Sequence, residues 1–166
     1  MKTKTIKVQL SPSSIDRAIK ELEAYKKRIK LKLMELIDVM CMDGEDYACS
    51  YLTHVDTGET LQSIMGYREG NHGIIEAGGA AVWIEFGTGV AFNVVDYAHP
   101  TREDLGISDW GEYGKGKGAN PNGWYYYGKD NKLHFTQGIP SEPFMQYAAD
   151  KLIEEFRATA VKVFAK

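Results

Sequence analysis

Three short stretches of this sequence hold residue types that could carry chemistry. Ala80-Ala81-Val82-Trp83-Ile84-Glu85-Phe86-Gly87-Thr88-Gly89 sets a carboxylate inside an apolar run that breaks into a Gly-Thr-Gly turn. Such a Glu is either an acid or base beside a flexible loop, or a structural acceptor at a strand end. Asp56-Thr57-Gly58 matches the triplet of aspartic proteases, whose chemistry needs two carboxylates sharing one proton. One such triplet is present, preceded by Thr53-His54 rather than an apolar strand, so a homodimer would have to supply the second Asp. Asp56 or Thr57 capping the short segment that begins at Gly58 is the stronger reading. Gly111-Glu112-Tyr113-Gly114-Lys115-Gly116-Lys117-Gly118 has the Gly and Lys spacing of a phosphate-binding loop, but Gly118 stands where Ser or Thr would hold magnesium. No buried strand leads into it and no helical pattern follows, so a hydrated loop is expected.

The remaining candidates are thinner. His54, His72, His99 and His134 share no metal-ligand spacing with one another or with the cysteines. Cys41 and Cys49, on one continuous helix, would stand about 12 Å apart along its axis, too far for a disulfide. Trp124-Tyr125-Tyr126-Tyr127 could stack on bases, as single-strand binders do. The net charge of −3 and pI near 5.8 give no basic footprint for that role. Residues 54–142 carry six Lys/Arg against twelve Asp/Glu, so the middle of the chain suits a basic protein partner better than a phosphate backbone. Core packing or a protein interface is the preferred role for the aromatic run. No catalytic constellation, metal site or cofactor site emerges, and no segment is apolar enough to span a membrane. The basic N-terminus has no apolar run behind it and does not read as a signal peptide, so a reducing, cytoplasmic setting is expected.

These residues must be positioned by a small number of elements. Thr5-Ile6-Lys7-Val8-Gln9-Leu10 alternates and reads as a short strand, followed by Ser11-Pro12-Ser13-Ser14 at a helix start. Ile15, Ile19, Leu22, Tyr25, Ile29, Leu33, Leu36 and Met40 make one apolar stripe on a helix of about seven turns. Lys26, Lys27, Arg28, Lys30 and Lys32 crowd its middle, as a solvated face or a contact for an acidic partner. Asp43-Gly44 predicts a break or C-cap, with helix resuming over Tyr47–Leu52. Ser63–Tyr67 and Gly73–Ala77 predict strands joined by a tight turn at Glu69–Gly73, and Trp124–Tyr127 with Leu133–Thr136 a second hairpin. Residues 90–123 have little periodicity and read as a long Gly- and aromatic-rich loop insertion. Ser141-Glu142-Pro143 opens a last helix, with Met145, Ala148, Leu152, Phe156, Ala160 and Val163 on its buried face. The order predicts a single α+β domain over 1–166: a long N-terminal helix and a C-terminal helix packed on a small, mainly antiparallel sheet.

Four pieces stand in an order that resembles a known family. They are Leu10-Ser11-Pro12-Ser13-Ser14-Ile15 opening the long helix; Asp56-Thr57-Gly58 with Leu61 and Ser63-Ile64; Trp83-Ile84-Glu85-Phe86-Gly87-Thr88-Gly89; and Pro140-Ser141-Glu142-Pro143-Phe144-Met145. Together they are similar to the neck, or tail-completion, proteins of long-tailed bacteriophages, across nearly the whole chain except 90–123. Trp83 stands where related chains usually carry Tyr. The resemblance implies a virion structural protein of the head–tail junction rather than an enzyme. It further implies a homo-oligomeric ring that meets connector and tail proteins while DNA passes without specific binding. The expected localisation is the virion, with assembly in the host cytoplasm. Glu85 is then expected to accept N–H bonds from the Gly87–Gly89 turn. Lys26, Lys27, Lys30, Trp124 and Tyr125 are candidate interface residues. A carboxylate-dependent hydrolase using Asp56 or Glu85, and a single-stranded nucleic-acid-binding module, are the alternatives from other classes.

Overall fold

A computed structural model describes residues 5, 6, 9, 11–53, 55–88 and 122–165. Their elements run α1 (Pro12–Tyr51), α2 (Glu59–Gln62), β1 (Met65–Glu69), β2 (His72–Glu76), α3 (Ala81–Phe86), β3 (Trp124–Tyr127), β4 (Leu133–Thr136) and α4 (Phe144–Ala165). The architecture is α+β, with two long helices and two small antiparallel sheets. The pairing is antiparallel, as expected, but it forms two separate hairpins rather than one sheet among the described residues. The apolar run leading to Glu85, read as a possible strand end, is helical instead. The expected strand over 5–10 lies partly outside the described residues, and Thr5, Ile6 and Gln9 are not in a strand.

The long helix exceeds its expected length. α1 has 40 residues, about eleven turns, and runs without a break through Asp43-Gly44. Gly44 remains helical because its missing side chain makes room: a β-carbon there would overlap Ile75 Cδ1 and stand 2.9 Å from Leu152 Cδ1. The glycine is a packing notch between β2 and α4, and that tertiary demand overrides its tendency to end a helix. At the other end Ser11 makes no side-chain cap, although Ser14 Oγ accepts the Gln9 N–H at 3.0 Å.

α4 lies antiparallel on α1. Phe144 and Ala148 share a buried cluster with Ala48, Leu52, Ile64, Ala81 and Ile84, while Leu152 reaches Gly44 one to two turns back. Tyr47 Oη donates to Glu155 Oε2 at 2.7 Å across the same seam, and Lys151 Nζ lies 2.9 Å from Glu155 Oε1. The hydrogen bond to Glu155 and then burial push the Tyr47 phenol up to about 12. The same bond, followed by Lys151, holds the Glu155 carboxyl below its usual range. A raised folded-state pKa means that the neutral phenol stabilises the fold below pH 10.0, and this contribution is lost as pH rises toward about 12. Tyr47→Phe is therefore expected to flatten part of the alkaline fall in stability over that window. Denaturant titrations of both proteins at stepped pH check it, and an unchanged slope would reject the linkage.

The first hairpin sits on α1 through glycines. Gly66 N–H donates to Glu45 Oε2 at 2.8 Å, and Cys41 Sγ donates to the Tyr67 carbonyl at 3.1 Å. Gly70, at φ +61, makes the two-residue turn between Glu69 and His72. Arg68 Nε closes the edge on Asp38 Oδ1 at 2.6 Å. Both cysteines are free, as their spacing on one helix requires. No helix among the described residues is long and apolar enough to cross a membrane.

Candidate functional site

The Glu85 segment is helical, not the end of a strand. Ala81–Phe86 forms α3, with Ala81, Ile84, Glu85 and Phe86 buried, and Gly87 stops it at φ +73. A short apolar run does not distinguish a buried strand from a buried helical turn by periodicity, and here the Ala-rich start favours helix. Glu85 is 5% exposed. Its partners are also different from those expected. Oε2 accepts the Met145 N–H at 2.9 Å and Oε1 the Gln146 N–H at 3.0 Å, both at the start of α4.

The reason lies in Pro143. The Pro143 carbonyl accepts the first bond of α4, from Tyr147 N at 2.9 Å, which makes Pro143 the N-cap. Proline has no side-chain oxygen for the free N–H groups of the first turn, so the acceptor must come from elsewhere in the fold. Glu85 supplies it, and its charge also faces the positive end of the helix dipole. Sequence reading puts Pro143 inside the first turn; it stands one position earlier, and the capping function passes to Glu85.

Backbone bonds weld the same joint. Glu142 N–H donates to the Ile84 carbonyl at 2.8 Å, and Ser141 Oγ donates to the Glu85 carbonyl at 2.6 Å. Thr88 N–H donates to the Ile139 carbonyl at 2.9 Å, and Ile139 N–H returns a bond to Thr88 Oγ1 at 3.0 Å. The Glu142 carboxylate accepts the Thr53 N–H, tying the end of α1 to the start of α4. Phe144 is 0% exposed beneath this layer. Glu85, Gly87, Thr88, Pro143 and Phe144 thus belong to one joint; Phe86 is buried at the end of α3, Trp83 is exposed on the same helix, and Gly89 lies outside the described residues.

The other candidates are elsewhere. Asp56 is exposed before α2, where Thr57 Oγ1 rather than Asp56 accepts the Glu59 N–H, at 3.4 Å. Gly58 is the N-cap of α2. Lys26, Lys27 and Lys30 are exposed on the first half of α1. Trp124 is half-buried and Tyr125 exposed on β3, where the Tyr125 and Phe135 rings meet edge to face at 5.0 Å. Among the described residues no group of three or more His, Cys, Asp or Glu side chains could hold a metal ion. The phosphate-loop-like stretch Gly111–Gly118 lies outside the described residues, as does most of the 90–123 insertion.

Sequence reading missed two features that bear on function. One is the Glu85–α4 cap, whose signal is a proline at a helix start with no local acceptor. The other is a second apolar face on α4. Ile153 is 75% exposed, and Phe156 and Val161 are exposed with it. The spacing puts Phe156 on the buried face, which instead runs through Ala148, Thr159 and Val163. Compared with protein-family models, with curated proteins and with solved structures, the chain matches none.

Proposed function

We propose that this chain is a bacteriophage or prophage structural protein of the head–tail junction, acting in neck assembly or tail completion as a ring-forming subunit. The observation that carries this reading is that both long helices keep apolar faces turned outward. Ile15, Ile19 and Leu22 stand exposed on α1, and Ile153, Phe156 and Val161 on α4. Large apolar side chains left exposed along a helix in this way are candidates for protein–protein contact. The motifs behind the family resemblance have a compatible role: Glu85 and its neighbours fix how α3 meets α4. Their work is architectural.

A ring needs two different, complementary surfaces on each subunit. The outward face of α4 and the basic stretch of α1 around Lys26, Lys27 and Lys30 are the two we assign to contacts with neighbouring subunits or with connector and tail proteins. DNA passes through such a ring without specific binding. Deleting the gene from the phage or prophage that carries it tests the reading. Electron microscopy is expected to show DNA-filled heads and tails that fail to join, with infectivity restored by the gene in trans. Joined, infectious particles in its absence would reject it.

A further inference from the structure

The first half of α1 is a helix without a partner among the described elements. Leu152 lies at Gly44, and both helices rise about 1.5 Å per residue, so the end of α4 at Ala165 comes level with about residue 31 of α1. The preceding five turns or so project beyond it. A helix of that length gains most of its stability from packing an amphipathic face, and here the face is present but uncovered. Ile15, Ile19, Leu22 and Leu33 are exposed, whereas Leu36 farther along the same stripe is buried.

The stripe has heptad spacing. Ile15, Leu22, Ile29 and Leu36 recur every seven residues, and so do Ile19, Lys26, Leu33 and Met40, offset from the first set by three or four. In coiled-coil terms the first set occupies d and the second a, with a single polar residue, Lys26, at an a position. We propose that a second copy of this chain covers the stripe, forming an antiparallel two-stranded coiled coil over residues 15–33 of both copies.

Orientation follows from Lys26 and the flanking charges. A parallel pair in register sets Lys26 against the partner's Lys26 in the seam. It also faces Ala18 with the partner's Glu23 and Tyr25 with the partner's Lys30, with no opposite charges matched. An antiparallel pair sets a against d. Ile15 then faces the partner's Leu33, Ile19 the partner's Ile29, and Leu22 the partner's Lys26, whose aliphatic stem covers it. Symmetry repeats each layer, so every uncovered seam residue is buried. Asp16 stands beside the partner's Lys30 at both ends; Glu23 meets its own copy at the centre, next to Lys26 and Lys27.

Neighbouring antiparallel registers fail on the same residues. Sliding one heptad toward the N-terminus sets Asp16 against the partner's Glu23. Sliding one heptad the other way matches Glu23 with the partner's Lys30, but places Ile15 and Ile19 against the partner's Met40 and the partner's Leu36. Leu36 is already buried in its own chain and Met40 half-buried. The pair is isologous, unlike the head-to-tail contacts of a ring; it takes up the α1 stripe with Lys26 and Lys30 and leaves the outward side of α4 to those contacts, so its failure is read by oligomeric state and theirs by head–tail joining.

Sedimentation velocity on the full chain across a concentration series tests it. The expected species is a dimer. Leu22→Asp is expected to make it monomeric while leaving the near-UV spectrum of the α1–α4 core unchanged, because the position lies beyond α4. Asp16→Lys and Lys30→Asp should each weaken dimerisation on the order of tenfold. The double variant Asp16→Lys/Lys30→Asp should restore it, as should mixing the two single variants. A chain that stays monomeric throughout, a dimer insensitive to Leu22→Asp, or a double variant no tighter than the singles would each overturn the proposal.

Discussion

Glu85→Ala is expected to lower the unfolding free energy by about 3 kcal/mol, a large share of the roughly 5–15 kcal/mol that holds a domain together. Two hydrogen bonds to a charged acceptor are lost, from Met145 N–H at 2.9 Å and Gln146 N–H at 3.0 Å. The donors remain at a helix start where Pro143 offers no side-chain acceptor, so they are left without their acceptors, not exchanged onto a local cap. Glu85→Gln keeps one acceptor oxygen but turns an amide NH2 toward a backbone N–H, and its cost should fall between alanine and wild type. The diagnostic variant is Pro143→Ser in the Glu85→Ala background. A serine at the N-cap accepts an N–H of the first turn, and should recover about 1 kcal/mol there while gaining nothing in the wild-type chain. Urea titration with a constant m-value reads all five proteins. An unchanged midpoint for Glu85→Ala, or a serine effect of equal size in both backgrounds, would show that Glu85 does not cap α4.

What the sequence reveals and what it conceals divide along the range of the interactions. The α1 stripe, the α4 stripe and both hairpins are legible because their signals are local: steps of three and four, alternation, and turn residues at Gly70-Asn71 and Gly128–Asn131. The errors all arise where a distant contact reverses a local preference. Gly44 reads as a helix end, yet Ile75 and Leu152 occupy the space its side chain would need. Ala81–Phe86 reads as a strand, yet it is a buried helical turn set against α4. Glu85 reads as an acceptor for the Gly87–Gly89 turn, yet it accepts N–H groups sixty and sixty-one residues onward in the chain, at Met145 and Gln146. Pro143 is what makes that pairing necessary, and a proline N-cap with no local acceptor is a signal that sequence reading can use. The apolar stripes also conceal something, since spacing shows that a face is apolar but not what covers it. The stripe predicts burial all along α1, whereas among the described residues its cover comes from α4 and the first hairpin, and Leu36 is the first of its residues to be buried.

The second large effect is expected at Gly66, where Gly66→Ala should cost about 3 kcal/mol by overpacking alone. A β-carbon there would overlap the Cys41 carbonyl oxygen and lie 2.8 Å from its carbon, so the obstacle is the backbone of α1, not a side chain that can rotate away. Lifting the hairpin to relieve the clash breaks the bond from Gly66 N–H to Glu45 and strains the one from Cys41 Sγ to the Tyr67 carbonyl. It also opens the contact at Gly73, where a β-carbon would come within 2.9 Å of Cys41 Sγ. Two neighbouring substitutions separate this cause from others. Gly70→Ala has nothing within 4 Å, so its cost is confined to the left-handed backbone at φ +61, about 1 kcal/mol. Gly44→Ala meets side-chain atoms first, Cδ1 and Cγ1 of Ile75 and Cδ1 of Leu152, which can shift where a backbone carbonyl cannot, and gains about 1 kcal/mol of helix propensity; its net effect should be the smallest of the three. The expected order of destabilisation is therefore Gly66, then Gly70, then Gly44. Chemical denaturation of the three variants reads the order directly, and loss of near-UV signal from Tyr67 should accompany Gly66→Ala. If Gly44→Ala proved the most damaging, the hairpin would be held to α1 by Ile75 packing rather than by the close backbone approach at Gly66.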